Sequence, residues 1–276
     1  MKNIKFTKMH GLGNDFVVID GRTQPIENKE KLSIKLADRH FGIGCDQVIM
    51  IEHTPAADVF MRILNPDGTE SGACGNATRC VADVVMKEKQ SVACTIETRR
   101  GVLSCVRAEN NSVTVDMGEP LLEWNQIPVA RETGTLYMPI SPDAEQFPER
   151  LPTGVNMGNP HCVFFVDRLA TVNLQELGPR YESDPFFPER SNVEFVEVID
   201  RDHVQMRVWE RGAGITLACG SGACAAAVAA IRRGLTERKV KVSMDGGDLM
   251  LEWRESDNHV YMTGPMVTVF SGVWHL

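Results

Sequence analysis

Long apolar runs and a leader-like start are both missing from this 276-residue sequence. No stretch approaches the roughly 20 consecutive apolar residues that a membrane-spanning helix requires. The first ten residues are polar, carry three lysines and lack the apolar core of a secretory signal peptide. These absences predict a cytoplasmic protein without a membrane partner.

Positive charge is also scarce, because 29 Lys and Arg residues stand against 37 Asp and Glu residues, for a formal net charge of -8. Nucleic-acid-binding surfaces depend on clustered Lys and Arg, so this balance argues against a nucleic-acid partner. It does not exclude a small anionic substrate, since a few local donors suffice to bind one. The expected partner is therefore a small molecule.

Metal and cofactor motifs are missing too. The eight cysteines form no Cys-x-x-Cys pair, and the closest pairs, Cys74/Cys80 and Cys219/Cys224, have no histidines at zinc-finger spacing. A dinucleotide-binding fingerprint, a phosphate-binding loop and a recognisable pyridoxal-phosphate lysine motif do not occur. We therefore expect no metal and no cofactor, and mostly free thiols in a reducing compartment.

The sequence does contain an internal repeat. Ala73-Cys74-Gly75 recurs as Ala218-Cys219-Gly220, at an offset of 145 residues. Chance gives scattered identities at any offset, whereas these matches cluster in motifs and keep their order without insertions. The other matches are Gly13-Asn14 with Gly158-Asn159, Met61-Arg62 with Met206-Arg207, Val48 with Val193, Glu52 with Glu197, Gly101 with Gly246, Met117 with Met262 and Pro120 with Pro265, and by type Gln47 with Asn192 and Asn65 with Glu210.

This repeat predicts two similar domains with a pseudo-twofold relation, over residues 1–120 and 121–266. Residues 267–276 have no partner in the repeat, and their alternating apolar side chains predict a strand that returns to the first domain. In each half, short β-rich segments precede one main helix, which begins at Asn76 in the first half and covers Ala223–Arg233 in the second, before Gly234. The predicted strands are Phe16–Asp20, Val48–Glu52, Asp58–Leu64, Val163–Asp167, Val193–Ile199 and Val204–Trp209.

The predicted fold class is therefore α+β, with α and β elements in layers. Each half would be a largely antiparallel sheet wrapped around a central helix, and the active site would lie in the cleft between the two halves. Because the second helix is apolar on every side, we expect it to be buried within its domain.

Two of the eight cysteines stand out, because Cys74 and Cys219 each precede a main helix at equivalent places in the repeat. The N–H groups and dipole of a helix N-terminus favour an anion, which predicts a lowered thiol pKa and a binding place for a carboxylate. Asn76 and Ser221 are the expected N-cap residues. Buried structural thiols are the expectation for five of the other six, namely Cys80, Cys94, Cys105, Cys162 and Cys224.

A pseudo-twofold axis would place the two sulfurs on opposite sides of a bound substrate. A carbon between them could lose a proton to one sulfur and receive a proton from the other on its opposite face, which inverts a stereocentre. This chemistry requires one thiolate and one thiol at the same time. The helix N-termini would have to stabilise the carbanion through the substrate carboxylate.

The motifs together resemble those of the diaminopimelate epimerase family along essentially the whole chain. Each motif alone is weak, but their joint order is highly specific. The matching segments are His10-Gly11-Leu12-Gly13-Asn14-Asp15-Phe16, Gly42-Ile43-Gly44-Cys45-Asp46-Gln47, Asn65-Pro66-Asp67-Gly68, Cys74-Gly75-Asn76, Met157-Gly158-Asn159-Pro160-His161, Glu210-Arg211-Gly212-Ala213-Gly214, Ala218-Cys219-Gly220-Ser221-Gly222 and Met262-Thr263-Gly264-Pro265.

The resemblance implies interconversion of LL- and meso-2,6-diaminopimelate, in the pathway to lysine and peptidoglycan precursors, without cofactor or metal. It implies Cys219 as base and Cys74 as acid in the LL-to-meso direction, with His161 and Glu210 tuning the thiol pKa values. The reacting carboxylate would bind Gly75, Asn76, Gly220 and Ser221. The distal amino and carboxylate groups would bind Asn14, Gln47, Asn65, Asn159, Asn192, Glu210 and Arg211.

Three positions depart from the family pattern. Ala77 stands where the family usually has Gly, and Ile215 replaces the usual Glu of a Gly-Ala-Gly-Glu motif. Phe270 occupies the place of a tyrosine that commonly lies in the family's dimer contact. The resemblance still implies a homodimer.

Other readings of these residues stay open from the sequence. Turn-forming roles suit Asn14 and Asn159, His161 could be a satisfied structural group, and Glu210-Arg211 could be a solvated pair. A proline or hydroxyproline racemase of the same superfamily would share the two cysteines. A redox-switch or metal-binding thiol protein would use the same thiols for different chemistry.

Overall fold

The computed structural model describes residues 3–24, 26–140 and 151–275. The chain divides into two compact units, one formed by the residues up to Asp116 with those from Thr263 onwards, and the other by Met117–Met262. No helix in the described ranges combines the length and apolarity needed to cross a bilayer.

The first unit is built mainly of strands with two helices. Helix α1 covers Lys29–Ala37 and helix α2 covers Gly75–Lys89. Strand β17, Val267–His275, pairs antiparallel with β1, Asn3–Gly11, as the alternating tail predicts. The strands are β1 Asn3–Gly11, β2 Asn14–Asp20, β3 Gln47–Glu52, β4 Val59–Leu64, β5 Glu70–Ser71, β6 Ala93–Thr98, β7 Gly101–Ala108, β8 Ser112–Asp116 and β17 Val267–His275.

The second unit is likewise built mainly of strands with two α-helices. Helix α3 covers Leu174–Glu182, helix α4 covers Gly220–Arg232, and a 3-10 helix covers Leu169–Thr171. Strand β16, Val260–Pro265, includes the point at which the chain leaves this unit. The other strands are β9 Thr153–Asn156, β10 Pro160–Phe165, β11 Asn192–Asp200, β12 His203–Glu210, β13 Gly214–Ile215, β14 Lys239–Met244 and β15 Gly247–Trp253.

The strand pairing of the first unit recurs in the second. Strands β2 and β3 are parallel, as are β10 and β11, and β3 pairs antiparallel with β4 as β11 does with β12. The parallel pairs β4–β6 and β12–β14 correspond, as do the antiparallel hairpins β6–β7 and β14–β15. The internal repeat is thus a repeat of topology, and the predicted α+β class is confirmed.

Each unit packs its sheet on one main helix. Helix α2 packs on β1, β6 and β8, and helix α4 packs on β9, β10, β11 and β15. Every residue of α4 from Gly222 to Ala230 is buried, as its apolar sequence predicts. The small side chains of this helix let the strands approach it closely, which fixes the position of its first turn. The helix ends as predicted, because Gly234 has a φ of 68° and its N–H donates to the Ile231 carbonyl.

We predict that Gly178→Ala destabilises the second unit. A Cβ at Gly178 in α3 would lie 2.5 Å from Cγ of Trp209, whose indole N–H donates to Glu182 at 2.7 Å. Alanine gains about 1 kcal/mol of helix propensity over glycine, but overpacking costs about 1–3 kcal/mol. The midpoint of urea unfolding should therefore fall. Gly134→Ala is the control, because a Cβ there meets nothing within 4 Å. An unchanged or higher midpoint for Gly178→Ala would contradict the close packing.

Candidate active site

Both candidate cysteines are the N-cap residues of their helices. Cys74 precedes α2 with φ -154° and ψ 107°, and Cys219 precedes α4 with φ -124° and ψ 113°. The prediction of Asn76 and Ser221 as N-caps is therefore wrong. Both cysteines have the extended backbone of an N-cap residue, and the Cys219 sulfur also accepts a backbone N–H of the first turn, as the oxygen of a Ser, Thr, Asp or Asn cap usually does.

The Cys74 thiol contacts a set of side-chain amides. Its Sγ lies 3.7 Å from Oδ1 of Asn14 as a donor, and Nδ2 of Asn76 donates to the same oxygen at 3.2 Å. Nδ2 of Asn14 in turn donates to the Asp46 carboxylate at 2.9 Å. Because that carboxylate only accepts, it fixes the Asn14 amide with its oxygen towards Cys74.

A buried arginine holds the first turn of α2. Arg79 is fully buried, and its guanidinium donates to Oδ1 of Asn76 at 2.8 Å and to the carbonyl of Pro265 at 3.2 Å. The acceptor role of Asn76 Oδ1 leaves its Nδ2 as the end that faces Asn14. Arg79 therefore orients the amide pair beside Cys74.

Gln47 and Asn65 form a second pair of amides in this unit. Nε2 of Gln47 donates to Oδ1 of Asn65 at 2.9 Å, and Nδ2 of Asn65 donates to the Thr69 hydroxyl at 3.1 Å. Gln47 begins β3 and Asn65 follows β4, so the two side chains meet where these antiparallel strands pair. The structure brings Asn14, Cys74 and Asn76 into contact as one group, and Gln47 and Asn65 as another.

The Cys219 thiol is more buried than Cys74, with 5% of the residue exposed. Its Sγ accepts the Gly222 N–H at 3.4 Å and lies 3.6 Å from the Ser221 hydroxyl. The sulfur thus receives a hydrogen bond from the helix N-terminus, as an anion at that position would.

Burial nevertheless raises the pKa of the Cys219 thiol well above its ordinary value of 9.0, and the nearby carboxyl groups of Glu210 and Glu194 raise it further. The Gly222 N–H and the Ser221 hydroxyl lower this pKa by less. The predicted lowering of the pKa at the helix start is therefore wrong for Cys219, because desolvation outweighs the donors of one helix turn.

A chain of hydrogen bonds runs through His161 in this unit. Nδ1 of His161 lies 2.7 Å from Oε1 of Glu194, and Nε2 lies 3.0 Å from Oδ1 of Asn159. The side chains of His161 and Glu194 are both fully buried. Burial raises the pKa of Glu194, while the charge and hydrogen bond of His161 lower it. His161 therefore connects a candidate substrate ligand to a buried acid.

Asn192 ties the other predicted ligands together. Its Oδ1 accepts the backbone N–H of Arg211 at 2.9 Å, and its Nδ2 donates to the Pro160 carbonyl at 2.9 Å. The Arg211 guanidinium donates to the backbone carbonyl of Glu189 at 2.9 Å. The carboxylate of Glu210 accepts the Thr216 hydroxyl. The ranges that the structure describes contain no cluster of three or more His, Cys, Asp or Glu residues suited to a metal.

The three residues that depart from the family pattern lie in different surroundings. Ala77 is fully buried in the first turn of α2, whereas Ile215 on β13 is 40% exposed. Phe270 on β17 is 48% exposed and packs edge-on against Phe6, with ring centroids 5.9 Å apart. A ring at position 270 is thus held in place without a hydroxyl group.

Sequence reasoning missed three residues that hold the candidate ligands. Asp46 orients Asn14, Arg79 orients Asn76, and Glu194 holds His161. Asp46 lies inside a quoted motif, and Arg79 lies one turn after Asn76 on helix α2. Glu194 interrupts the apolar run Val193–Val196 on β11, and a charge within a buried strand was the available signal.

A family model and a curated relative that match this chain carry the same family name. The family model described as diaminopimelate epimerase matches residues 6–123 and 153–269. A protein of Rhodospirillum centenum named diaminopimelate epimerase is 53% identical, over 97% of this chain and 91% of that one.

Solved structures with lower identity share the fold. A phenazine biosynthesis protein of the PhzF family from Bacillus anthracis superposes with a TM-score of 0.71 at 14% identity, over 100% of both chains. A hydroxyproline epimerase from Agrobacterium vitis superposes with a TM-score of 0.66 at 14% identity, over 99% of this chain and 92% of that one. With the family model matching both halves and a relative more than half identical along nearly the whole chain, the protein belongs to the diaminopimelate epimerase family.

Proposed function

We propose that the protein interconverts LL- and meso-2,6-diaminopimelate without a cofactor, with Cys74 and Cys219 as the two proton-transferring groups. This reaction would serve the synthesis of lysine and of peptidoglycan precursors. The observation that carries the proposal is the placement of both thiols at the N-caps of equivalent helices, in a member of this family.

The reaction moves two protons at one α-carbon. In the LL-to-meso direction the Cys219 thiolate takes the α-proton, so that the C–H bond breaks and an S–H bond forms. The Cys74 thiol then gives its proton to the opposite face of the carbanion and becomes the thiolate. The mechanism therefore requires the two sulfurs on opposite faces of that carbon, and it returns each sulfur to its starting state only after a reverse proton exchange.

Burial and two carboxyl groups raise the pKa of the Cys219 thiol, so its thiolate is a strong base once it has formed. The Glu210 carboxyl contributes to this shift, which supports its proposed role in tuning the thiol pKa. His161 would act on the same thiol through its contact with Glu194.

The reacting carboxylate would bind at the two helix starts. Gly75 and Asn76 begin α2, and Gly220 and Ser221 begin α4, where backbone N–H groups and the helix dipoles favour a negative charge. Donors at these positions would also stabilise the carbanion as its charge spreads onto the carboxylate.

The distal end of the substrate carries an ammonium group and a carboxylate. Glu210 suits the ammonium and Arg211 suits the carboxylate, because each pairs opposite charges through hydrogen bonds. Neutral amides supply the remaining donors and acceptors. The proposed amide ligands are Asn14, Gln47, Asn65, Asn159 and Asn192.

We place the protein in the cytoplasm as a homodimer. Strand β17 carries four apolar side chains that are 42–54% exposed, Val267, Val269, Phe270 and Val273, and its pairing register with β1 puts Val267 and Phe270 in an apolar row on one face. A second copy of the chain would cover this apolar row and remove it from water.

The first test is exchange of the α-proton. The protein incubated with LL-diaminopimelate in deuterated water should incorporate deuterium at the α-carbon and form the meso isomer, as measured by NMR and chiral chromatography. Proline and hydroxyproline should remain unchanged, since neither offers a second amino-acid group for Glu210 and Arg211. Turnover of proline without turnover of diaminopimelate would refute the substrate assignment.

The second test concerns the thiols. Cys74→Ala and Cys219→Ala should each abolish inversion, because removal of either sulfur leaves one face of the α-carbon without a proton-transferring group. Cys80→Ala is the control, since that thiol lies inside α2, with its pKa raised by burial to about 12. Normal inversion by either of the first two variants would exclude the two-thiol mechanism.

The third test concerns the dimer. Phe270→Lys should shift the sedimentation coefficient from that of a dimer to that of a monomer, because a charge in the apolar row opposes its burial. Val92→Lys is the control, because Val92 is an exposed apolar residue outside this row, with 69% of its surface exposed. A Phe270→Lys protein that remains dimeric would exclude β17 as the contact.

A further inference from the structure

One buried acid has only an indirect place in the mechanism so far. Glu194 on β11 is fully buried, and its Oε1 lies 2.7 Å from Nδ1 of His161. Its other oxygen, Oε2, has no hydrogen-bond partner among the residues that the structure describes. A buried carboxyl group with one unpaired oxygen is costly, so a purely structural purpose does not account for it.

This carboxyl group lies against the first turn of the helix that carries Cys219. A Cβ added to Gly222 would lie 2.9 Å from Oε1 of Glu194 and 3.3 Å from Sγ of Cys219. The carboxyl oxygen and the sulfur thus flank the same bare Cα, and any larger residue at position 222 would push the carboxyl group away. Glycine at this position lets the acid approach the thiol.

The first unit lacks this arrangement. At the repeat offset of 145, Glu194 corresponds to Ile49, His161 to Phe16 and Gly222 to Ala77. Ile49, Phe16 and Ala77 are all fully buried, so the equivalent scaffold is filled with apolar groups and a Cβ. The fold therefore does not need an acid here, and the acid occurs only beside Cys219.

We propose that Glu194 is a positioning residue for Cys219: it holds His161 and places a carboxyl group beside the sulfur, where it opposes formation of the thiolate. This proposal rests on the proposed function, because it concerns the thiol assigned as base. Glu194 does not touch the substrate in this scheme and acts only through Cys219 and His161.

The sign of the effect follows from the groups around the thiol. The acidic groups acting on Cys219 are Glu210 at the end of β12 and Glu194 on β11, and both raise its pKa. His161 on β10 partly offsets the charge of Glu194. Neutralising Glu194 removes one of the two opposing carboxyl groups and should make Cys219 easier to ionise.

The test replaces Glu194 by its neutral isostere and measures the thiol directly. Glu194→Gln and the wild-type protein, both without substrate, are alkylated with iodoacetamide over a range of pH. Mass spectrometry then follows the peptides that contain Cys219 and Cys74 separately. A like charge within a few ångströms shifts a pKa by about one unit or more, which raises the thiolate fraction about tenfold below the midpoint. Because a less basic thiolate is a weaker nucleophile, alkylation of Cys219 should become about threefold faster.

Matched controls separate this effect from general loss of charge or of structure. Glu197→Gln removes the same charge from β11, three residues further along, where the carboxylate accepts the Leu169 N–H, and it should leave the Cys219 rate unchanged. The Cys74 rate should be unchanged in both variants. If Glu194→Gln does not fold, Glu194→Asp takes its place, and its shorter side chain should accelerate Cys219 by a smaller factor.

An unchanged Cys219 rate in a folded Glu194 variant would overturn the proposal, as would equal acceleration in Glu197→Gln. Alkylation needs no turnover, so this result does not depend on the epimerase assignment. Failure of the wild-type protein to invert diaminopimelate would refute the proposed function and leave the alkylation result standing on its own.

Discussion

The cysteine at the start of a buried helix is the constraint on which the rest of the structure depends. At the N-cap, the sulfur lies beside backbone N–H groups whose direction is fixed by the helix, so it cannot move without moving the helix. In the second unit, the helix after Cys219 is buried along almost its whole length and is rich in alanine. The sheet therefore packs directly on the helix backbone, and the strands that carry His161, Glu194 and Glu210 contact this helix.

The two halves share this scaffold but surround their sulfurs with different charges. Cys74 lies among amides that a buried Arg79 orients, whereas Cys224 stands at the position of Arg79 in the other half. Cys219 lies instead beside two carboxyl groups and is more buried than Cys74. The proposed reaction needs one thiol and one thiolate at the same time, and different surroundings favour a different protonation state for each sulfur. Substitution within a repeated scaffold gives that difference without changing the backbone that positions the sulfurs.

Most of the fold could be predicted from the sequence because each element assigned in one half of the repeat could be compared with the other half. A strand or helix assigned in one half had to recur in the other, and the assigned strands around Phe16, Val48, Val193 and Val204 all recur in the structure. The start of α2 was predicted within one residue and the start of α4 within three residues, but the N-caps were wrong. The statistical preference for Asn and Ser misleads where function places another residue at the cap.

The candidate site was harder to predict, because the burial of a side chain depends on residues that are distant along the chain. The expected lowering of the Cys219 pKa followed from the helix start, whereas desolvation by strands distant along the chain raises this pKa. Glu194 illustrates the same limit, since a single acid in a strand reads equally well as a solvated edge residue. Only the packing of β11 on α4 reveals that its carboxyl group is buried beside a thiol. A half-satisfied acid destabilises a core, and its retention next to one sulfur but not the other is explained more simply by thiol chemistry than by folding.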